Sequence, residues 1–177
     1  GFSPDGSTLV TTSWDKTVRL WQVSDGTLLR TLEGHTDIVN NAAYSPGGSL
    51  LASVSDDQTV RLWCVNDGTL LHTLTGHTQP PFDLLFSPDG STLVSRSRGD
   101  AFLWRDSDGT LLGFVCVLLD EEPRWGARLD NLHVSPESKG TGVGYALFQA
   151  AREWIARTSP GTPMHLWCVE RNPVARR

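Results

Sequence analysis

The run Lys139-Gly140-Thr141-Gly142-Val143-Gly144 places three glycines at alternate positions behind a cation. Glycine lets backbone N–H groups approach a phosphate closely, and a helix that begins within the run adds the partial positive charge of its N-terminus. Such a loop suits an anionic, phosphate-bearing ligand. It lacks the Lys-Ser/Thr ending of a P-loop and the continuation of a dinucleotide fingerprint, so those two readings rank second. A second set, His35, Ser53 and Asp57, has the residue types of a hydrolytic triad. Its members recur at the period of a repeat, and the indole N–H of nearby Trp63 supplies a structural reason for them, so hydrolysis is not the reading taken. No spacing of His, Cys, Asp or Glu suggests a metal site.

The elements that must position the glycine run are legible around it. Leu111 to Leu119 is a strongly apolar β pattern, Asp120 to Gly126 is an acidic, Pro-containing connection, and Ala127 to Val134 reads as a second strand of the same hairpin. Ser135-Pro136-Glu137-Ser138 leads into the loop, and a helix is predicted from about Gly142 to Thr158 with the apolar stripe Val143, Leu147, Ala150, Ala151, Trp154 and Ile155. Strand, glycine loop and helix therefore follow in order.

With Leu132-His133-Val134-Ser135-Pro136 before the loop and Val169-Glu170-Arg171-Asn172-Pro173-Val174-Ala175-Arg176 after it, this segment resembles the GNAT-type N-acetyltransferase family. The family's loop runs Arg or Gln, two residues, Gly, one residue, Gly or Ala; Lys139, Gly142 and Gly144 take those places. Lys for Arg keeps the charge but loses the planar fork of donors. The resemblance implies transfer of acetyl from acetyl-CoA to an amine acceptor, either a small molecule or a protein. It implies cofactor contacts from Leu132, His133, Val134, Lys139, Gly140, Thr141, Gly142, Val143, Gly144 and Asn172. Two strands would splay apart at 132–134 and 165–169, with a backbone N–H near Val134 stabilising the oxyanion by roughly 3 kcal/mol. Asp130 and Glu170 are the candidate general bases, with pairing to a nearby Arg as their alternative role. His133 could serve likewise or simply pack. No Tyr follows Asn172 to act as the family's general acid, and the first strand and helices that build the acceptor pocket have no counterpart. The segment is expected to be a GNAT fold truncated at both ends.

Ahead of it the chain repeats itself. Phe2-Ser3-Pro4-Asp5-Gly6, Tyr44-Ser45-Pro46-Gly47-Gly48 and Phe86-Ser87-Pro88-Asp89-Gly90 are spaced by 42 residues. Val18-Arg19-Leu20-Trp21 and Val60-Arg61-Leu62-Trp63 keep step, followed by Gly26-Thr27-Leu28-Leu29 and Gly68-Thr69-Leu70-Leu71. With Gly34-His35 and Gly76-His77, the pattern resembles the WD-repeat family. That implies four-stranded blades, each locked by a hydrogen-bonded set: His35, Ser53, Asp57 and Trp63 in one, with Thr11, Asp15 and Trp21 as its remnant in the first repeat. A closed propeller uses about 4–8 blades, and fewer than three are expected here, which leaves apolar faces open. In the third repeat Pro80-Pro81 replace Ile38-Val39, and Arg98 stands six residues before Trp104 where earlier repeats have Asp15 and Asp57. The lock is therefore expected to be broken there.

The expected fold is multidomain: an all-β partial β-propeller over residues 1–96, a junction at 97–112 readable as either fold, and a truncated α/β acetyltransferase over 113–177. Natural gene fusion and a joining of two reading frames would both leave such a junction. Residues 1–112 carry 7 Lys/Arg against 13 Asp/Glu, whereas residues 113–177 carry 8 against 7. No basic stripe marks a nucleic-acid partner, and no apolar run is long enough to cross a membrane. Cys64, Cys116 and Cys168 lie far apart and read as buried free thiols, which fits a reducing cytoplasm. The chain begins at Gly1 within a repeat, so it is expected to be a fragment of a longer protein. Two functions follow: an N-acetyltransferase with a WD-repeat module that meets protein partners, or a WD-repeat scaffold carrying a degenerate or artefactually fused acetyltransferase segment.

Overall fold

The computed structural model describes residues 1–98, 100–105, 111–119, 127–158 and 164–166. Ser-Pro-Asp-Gly turns close on themselves: Ser3 and Ser7 donate to the Asp5 carboxylate, and Ser87 and Ser91 do the same for Asp89. The turns divide the first hundred residues into short antiparallel strands. β1 (Thr8–Thr12), β2 (Val18–Gln22) and β3 (Leu28–Leu32) form a three-stranded sheet. β4 (Val39–Tyr44), β5 (Leu50–Ser55), β6 (Val60–Cys64) and β7 (Leu70–Leu74) form a four-stranded one.

The third sheet has six strands: β8 (Asp83–Phe86), β9 (Thr92–Arg96), β10 (Asp100–Arg105), β11 (Leu111–Leu119), β12 (Ala127–Val134) and β13 (Met164–Leu166), side by side in chain order. All neighbours are antiparallel except β12 and β13, which are parallel and joined across α1 (Val143–Thr158). The architecture is thus mostly β, and one α-helix and one parallel pair are what the described residues hold of the expected α/β part.

The register shows how the repeats meet the hairpin. Trp21 lies opposite Leu28, Trp63 opposite Leu70, and Trp104 opposite Leu111, each pairing following a slip after Leu20, Leu62 or Leu103. β11 therefore takes in the third repeat the outer place that β3 and β7 take in the first two. It is also the first strand of the hairpin that leads to the glycine loop. The doubly readable stretch contributes to both.

Strand alternation then stacks the sheets. Val10, Val18, Leu20 and Leu32 of the first sheet pack on Val39, Ala42, Leu51 and Trp63 of the second. The opposite face of the second sheet, Ala52, Val54, Val60, Leu62 and Leu74, packs on Leu84, Phe86, Leu93, Phe102 and Trp104. The far side of β10, Ala101 and Leu103, receives Val143, Leu147 and Ala151 of α1, with Val94, Val134 and Phe148 at its edge. β10 is buried on both faces.

The lock of the third repeat is intact, contrary to the expectation from Arg98. Asp100 replaces the missing aspartate: it accepts from His77 Nδ1 at 2.5 Å, while His77 Nε2 meets Ser95 Oγ at 2.7 Å and Trp104 Nε1 donates to Ser95 Oγ at 2.8 Å. The turn has shortened, with Ser97 N–H bonded to the Asp100 carbonyl at 2.9 Å, so the carboxylate arrives four residues before the tryptophan instead of six. The double proline has a milder effect. Pro81 is fully buried and the chain enters its strand only at Asp83, which leaves β8 shorter than β4.

Candidate functional site

Two constellations could do chemistry. In the second repeat, His35 Nδ1 lies 2.8 Å from Asp57 Oδ2 and His35 Nε2 lies 2.8 Å from Ser53 Oγ, the connectivity of a hydrolytic triad. Ser53 has no exposed surface, and Trp63 Nε1 donates to its oxygen at 2.9 Å, so no substrate carbonyl could reach it. Burial pushes the His35 imidazole below its ordinary pKa, against the opposing hydrogen bond to Asp57. Burial pushes the Asp57 carboxyl up, but hydrogen bonds from Thr59, the Thr36 N–H and His35 outweigh it and hold it at about 2. A neutral imidazole donating to a carboxylate and accepting from Ser53 satisfies every partner. This set locks the fold.

The glycine loop is different in kind, because it is open. After β12, Pro136–Ser138 make one 3₁₀ turn, Ser135 Oγ donates to Ser138 Oγ at 2.9 Å, and Thr141 Oγ1 donates to the Ser138 carbonyl at 2.7 Å. Ser138 is buried beneath the loop, whereas Lys139, Gly140, Thr141 and Gly142 are exposed. Gly140 and Gly142 have φ of +81° and +87°, which favours glycine, and a side chain built on either would meet nothing within 4 Å. That leaves room for a ligand against bare backbone. Gly142 accepts the first helical bond, from Ala146 N–H at 3.0 Å, which makes it the residue that opens α1. The N–H groups of Val143, Gly144 and Tyr145 then have no partner within the helix. The helix starts one residue after the predicted position and ends where predicted.

Val143 is 8% exposed and faces the core, so only its backbone could touch a ligand. Leu132, His133 and Val134 lie at the end of β12, opposite Val115, Phe114 and Gly113 of β11. Asp130 occupies a distinctive place. Leu129 pairs with Val117 and Asn131 with Cys116, so Asp130 is the extra residue of a β-bulge. The parallel partner β13 pairs with β12 at Ala127, Arg128 and Leu129, just short of that bulge. Bulge, strand end and glycine loop are therefore consecutive along one segment. Glu170 and Asn172, and residues 167–169 of the expected splay, lie outside the described residues. Sequence reasoning missed Ser138, whose backbone and side chain brace the loop, and Asp100. The spacing Ser97-x-x-Asp100 beside an intact Ser95 and Trp104 was the available signal for the latter.

Cys64 is a free, half-buried thiol. Among the described residues no three His, Cys, Asp or Glu side chains gather at a metal-sized site, and no described helix is long and apolar enough to cross a membrane.

Comparison with known families finds two matches. The model of the WD domain, G-beta repeat, matches residues 1–22 and 26–64. The model of the acetyltransferase (GNAT) family matches residues 69–177, more than half of the chain and including the whole third repeat. The chain belongs to the acetyltransferase (GNAT) family, with WD repeats preceding the matched region. A 38-residue stretch is 55% identical to the probable serine/threonine-protein kinase PkwA of Thermomonospora curvata, covering 22% of this chain and 5% of that protein. The family match supports an acetyltransferase-type enzyme in general, and WD repeats suggest protein interaction.

Proposed function

We propose that this protein is an N-acetyltransferase that takes acetyl from acetyl-CoA and passes it to an amine, and that its WD repeats bring it to a protein partner. The observation that carries the reading is the open loop at residues 139–142, with two glycines at positive φ and no atom near either Cα side, set at the N-terminus of a 16-residue helix. Acetyl-CoA fits this cradle chemically: its pyrophosphate is an anion that needs backbone donors and a cation. Lys139 and the N–H groups of Gly140, Gly142, Val143 and Gly144 would hold it, with Thr141, whose N–H and hydroxyl both donate to the Ser138 carbonyl, shaping the loop between them, while Leu132, His133 and Val134 would line the pantetheine and Asn172 its far side.

In the transfer, the amine nitrogen bonds to the acetyl carbon, the C–S bond breaks and the amine proton leaves. Asp130 is the base we favour, because a bulge at the end of the parallel pairing sets it apart from the regular ladder; Glu170 is the alternative. Incubating the chain with acetyl-CoA and a panel of primary amines and following the released thiol tests the assignment. Amine-dependent thiol release that falls at least tenfold in Asp130→Asn supports it. Binding of acetyl-CoA without thiol release for any amine would favour a WD-repeat scaffold with a degenerate acetyltransferase segment, a reading supported by the extent of repeat sheet and by Lys139 at the usual Arg place.

A further inference from the structure

Among the described residues, Arg61 Nε is the one buried side-chain nitrogen or oxygen without a hydrogen-bond partner. Buried polar groups are nearly always paired, so the exception asks for a cause. The guanidinium lies against Gly34, where a Cβ would collide with its Nη1. Arg19, at the same place in the first repeat, pairs with Asp15 four residues before it. Asp57, four residues before Arg61, is already engaged: one carboxylate oxygen meets His35 and the Thr36 N–H, and the other accepts from the Thr59 N–H and hydroxyl. Phe102 holds that place in the third repeat, where its ring packs on Gly76 and on His77 at 4.5 Å. An aromatic ring therefore fills this position, and packing does not call for a charge there.

The strand beside Arg61 is equally unusual. The second sheet is covered on both faces by its neighbours in the chain, so what it leaves open are its edges. β7 is the outer one and pairs with β6 alone. Edge strands are ordinarily guarded by charged side chains or proline, and β7 holds none of Lys, Arg, Asp, Glu or Pro, while Leu70 and Leu71 are exposed. A bulge at Leu71 is the guard it does have. β11 shows that this bulge does not prevent pairing: it takes the same outer place in the third sheet with the same bulge at Leu112, and β12 still adds to its free edge from Gly113 onward. In that ladder Phe102, Phe114 and His133 stand side by side. Arg61 and Thr73 are the first two members of the same row in the second sheet, and no described strand supplies the third.

We propose that the outer edge of β7 takes an extended segment of a protein partner as a further, antiparallel strand, and that Arg61 holds an aspartate or glutamate of that segment opposite Thr73. The guanidinium offers a fork of donors that matches a carboxylate, and its half-buried setting strengthens the pairing relative to open water. Main-chain hydrogen bonds along β7 supply affinity, and the acidic residue sets the register and the choice of partner. The inference rests on the reading of the repeats as a partner-binding module and is independent of acetyl transfer.

Selection of short random peptides, displayed on phage, against the intact chain tests it, followed by binding of the enriched peptides to Arg61→Phe and Arg61→Met. Arg61→Phe copies the third repeat, and Arg61→Met is the slimmer apolar replacement. The enriched peptides are expected to carry one acidic residue in an otherwise uncharged stretch, to slow amide hydrogen exchange along Leu70–Leu74, and to bind the variants at least tenfold more weakly. Without peptide, at least one variant is expected to resist urea as well as the intact chain or better, because the substitution removes a buried donor that has no partner. If both variants unfold more readily than the intact chain, Arg61 serves the fold and the proposal is overturned. Peptides that lack an acidic residue, or that a folded variant binds equally well, would overturn the Arg61 site and leave the repeats a partner-binding role. Slowed exchange elsewhere than β7 would overturn the strand addition. An intact chain that enriches no peptide would remove this inference and the partner reading together.

Discussion

Ser53 Oγ sits between a tryptophan N–H and an imidazole nitrogen with no exposed surface, and Ser95 repeats the arrangement one sheet later. Removing either hydroxyl leaves a buried indole N–H and a buried ring nitrogen unpaired. Ser53→Ala and Ser95→Ala are each expected to cost about 1–3 kcal/mol in urea unfolding. A neutral Ser95→Ala would mean that the third lock contributes nothing. The locks also set the acid response. Burial lowers the His35 pKa, so the unfolded chain takes up a proton below about pH 6.5 that the folded chain resists. Asp57, held at about 2 when folded, adds a second loss as the pH falls from its ordinary 3.8 toward that value. Stability is therefore full above about pH 6.5 and decreases on acidification in two stages. The urea midpoint should drop between pH 7.5 and 5, and a midpoint that rises over that range would contradict the assignment.

β10 is the element on which the two halves depend, because Phe102 and Trp104 stack at 5.5 Å on the side of the second sheet while Ala101 and Leu103 lie under α1. Leu103→Ala would leave a cavity against Leu147 and is expected to cost about 2–5 kcal/mol, measured by thermal or urea unfolding. If Leu103 packs only locally, the helix signal would be lost alone and the sheets would unfold at the original midpoint.

The elements themselves were largely legible in the sequence. The 42-residue period placed the strands of the first two repeats, and the apolar runs marked β11, β12 and α1 within a residue of their observed bounds. What the pattern hid was the role of Asp100, since a turn shortened by one residue, with the carboxylate two residues nearer the tryptophan, moves that carboxylate out of register in the alignment while leaving it in place in space. The sharing of β11 was equally hidden, because an apolar strand flanked by turns suits the outer edge of a repeat and the start of a hairpin alike. Of the candidate site, loop and helix start were readable from glycine spacing, whereas the bulge at Asp130 depends on pairing with β11 that no local pattern encodes.

For the whole molecule, continuous stacking from the first sheet through β10 to α1 makes the repeats and the acetyltransferase region one hydrophobic unit. Thermal unfolding followed by tryptophan fluorescence and by far-UV circular dichroism is expected to give coincident single transitions. Two separated transitions would show that the halves are independent. By linkage, a ligand held at the glycine loop would raise the whole transition, by about 2.7 kcal/mol at a concentration 100 times its Kd.

The most direct test is titration calorimetry of acetyl-CoA into the intact chain and into Gly144→Glu. A glutamate in the first turn favours the helix dipole and so preserves α1, while its charge repels a phosphate from the same N–H groups. Saturable binding by the intact chain, lost or weakened at least tenfold in a Gly144→Glu protein that keeps its circular dichroism spectrum, is the predicted result. An intact, folded chain that binds no acetyl-CoA, or binds it equally well with the glutamate in place, would contradict the account.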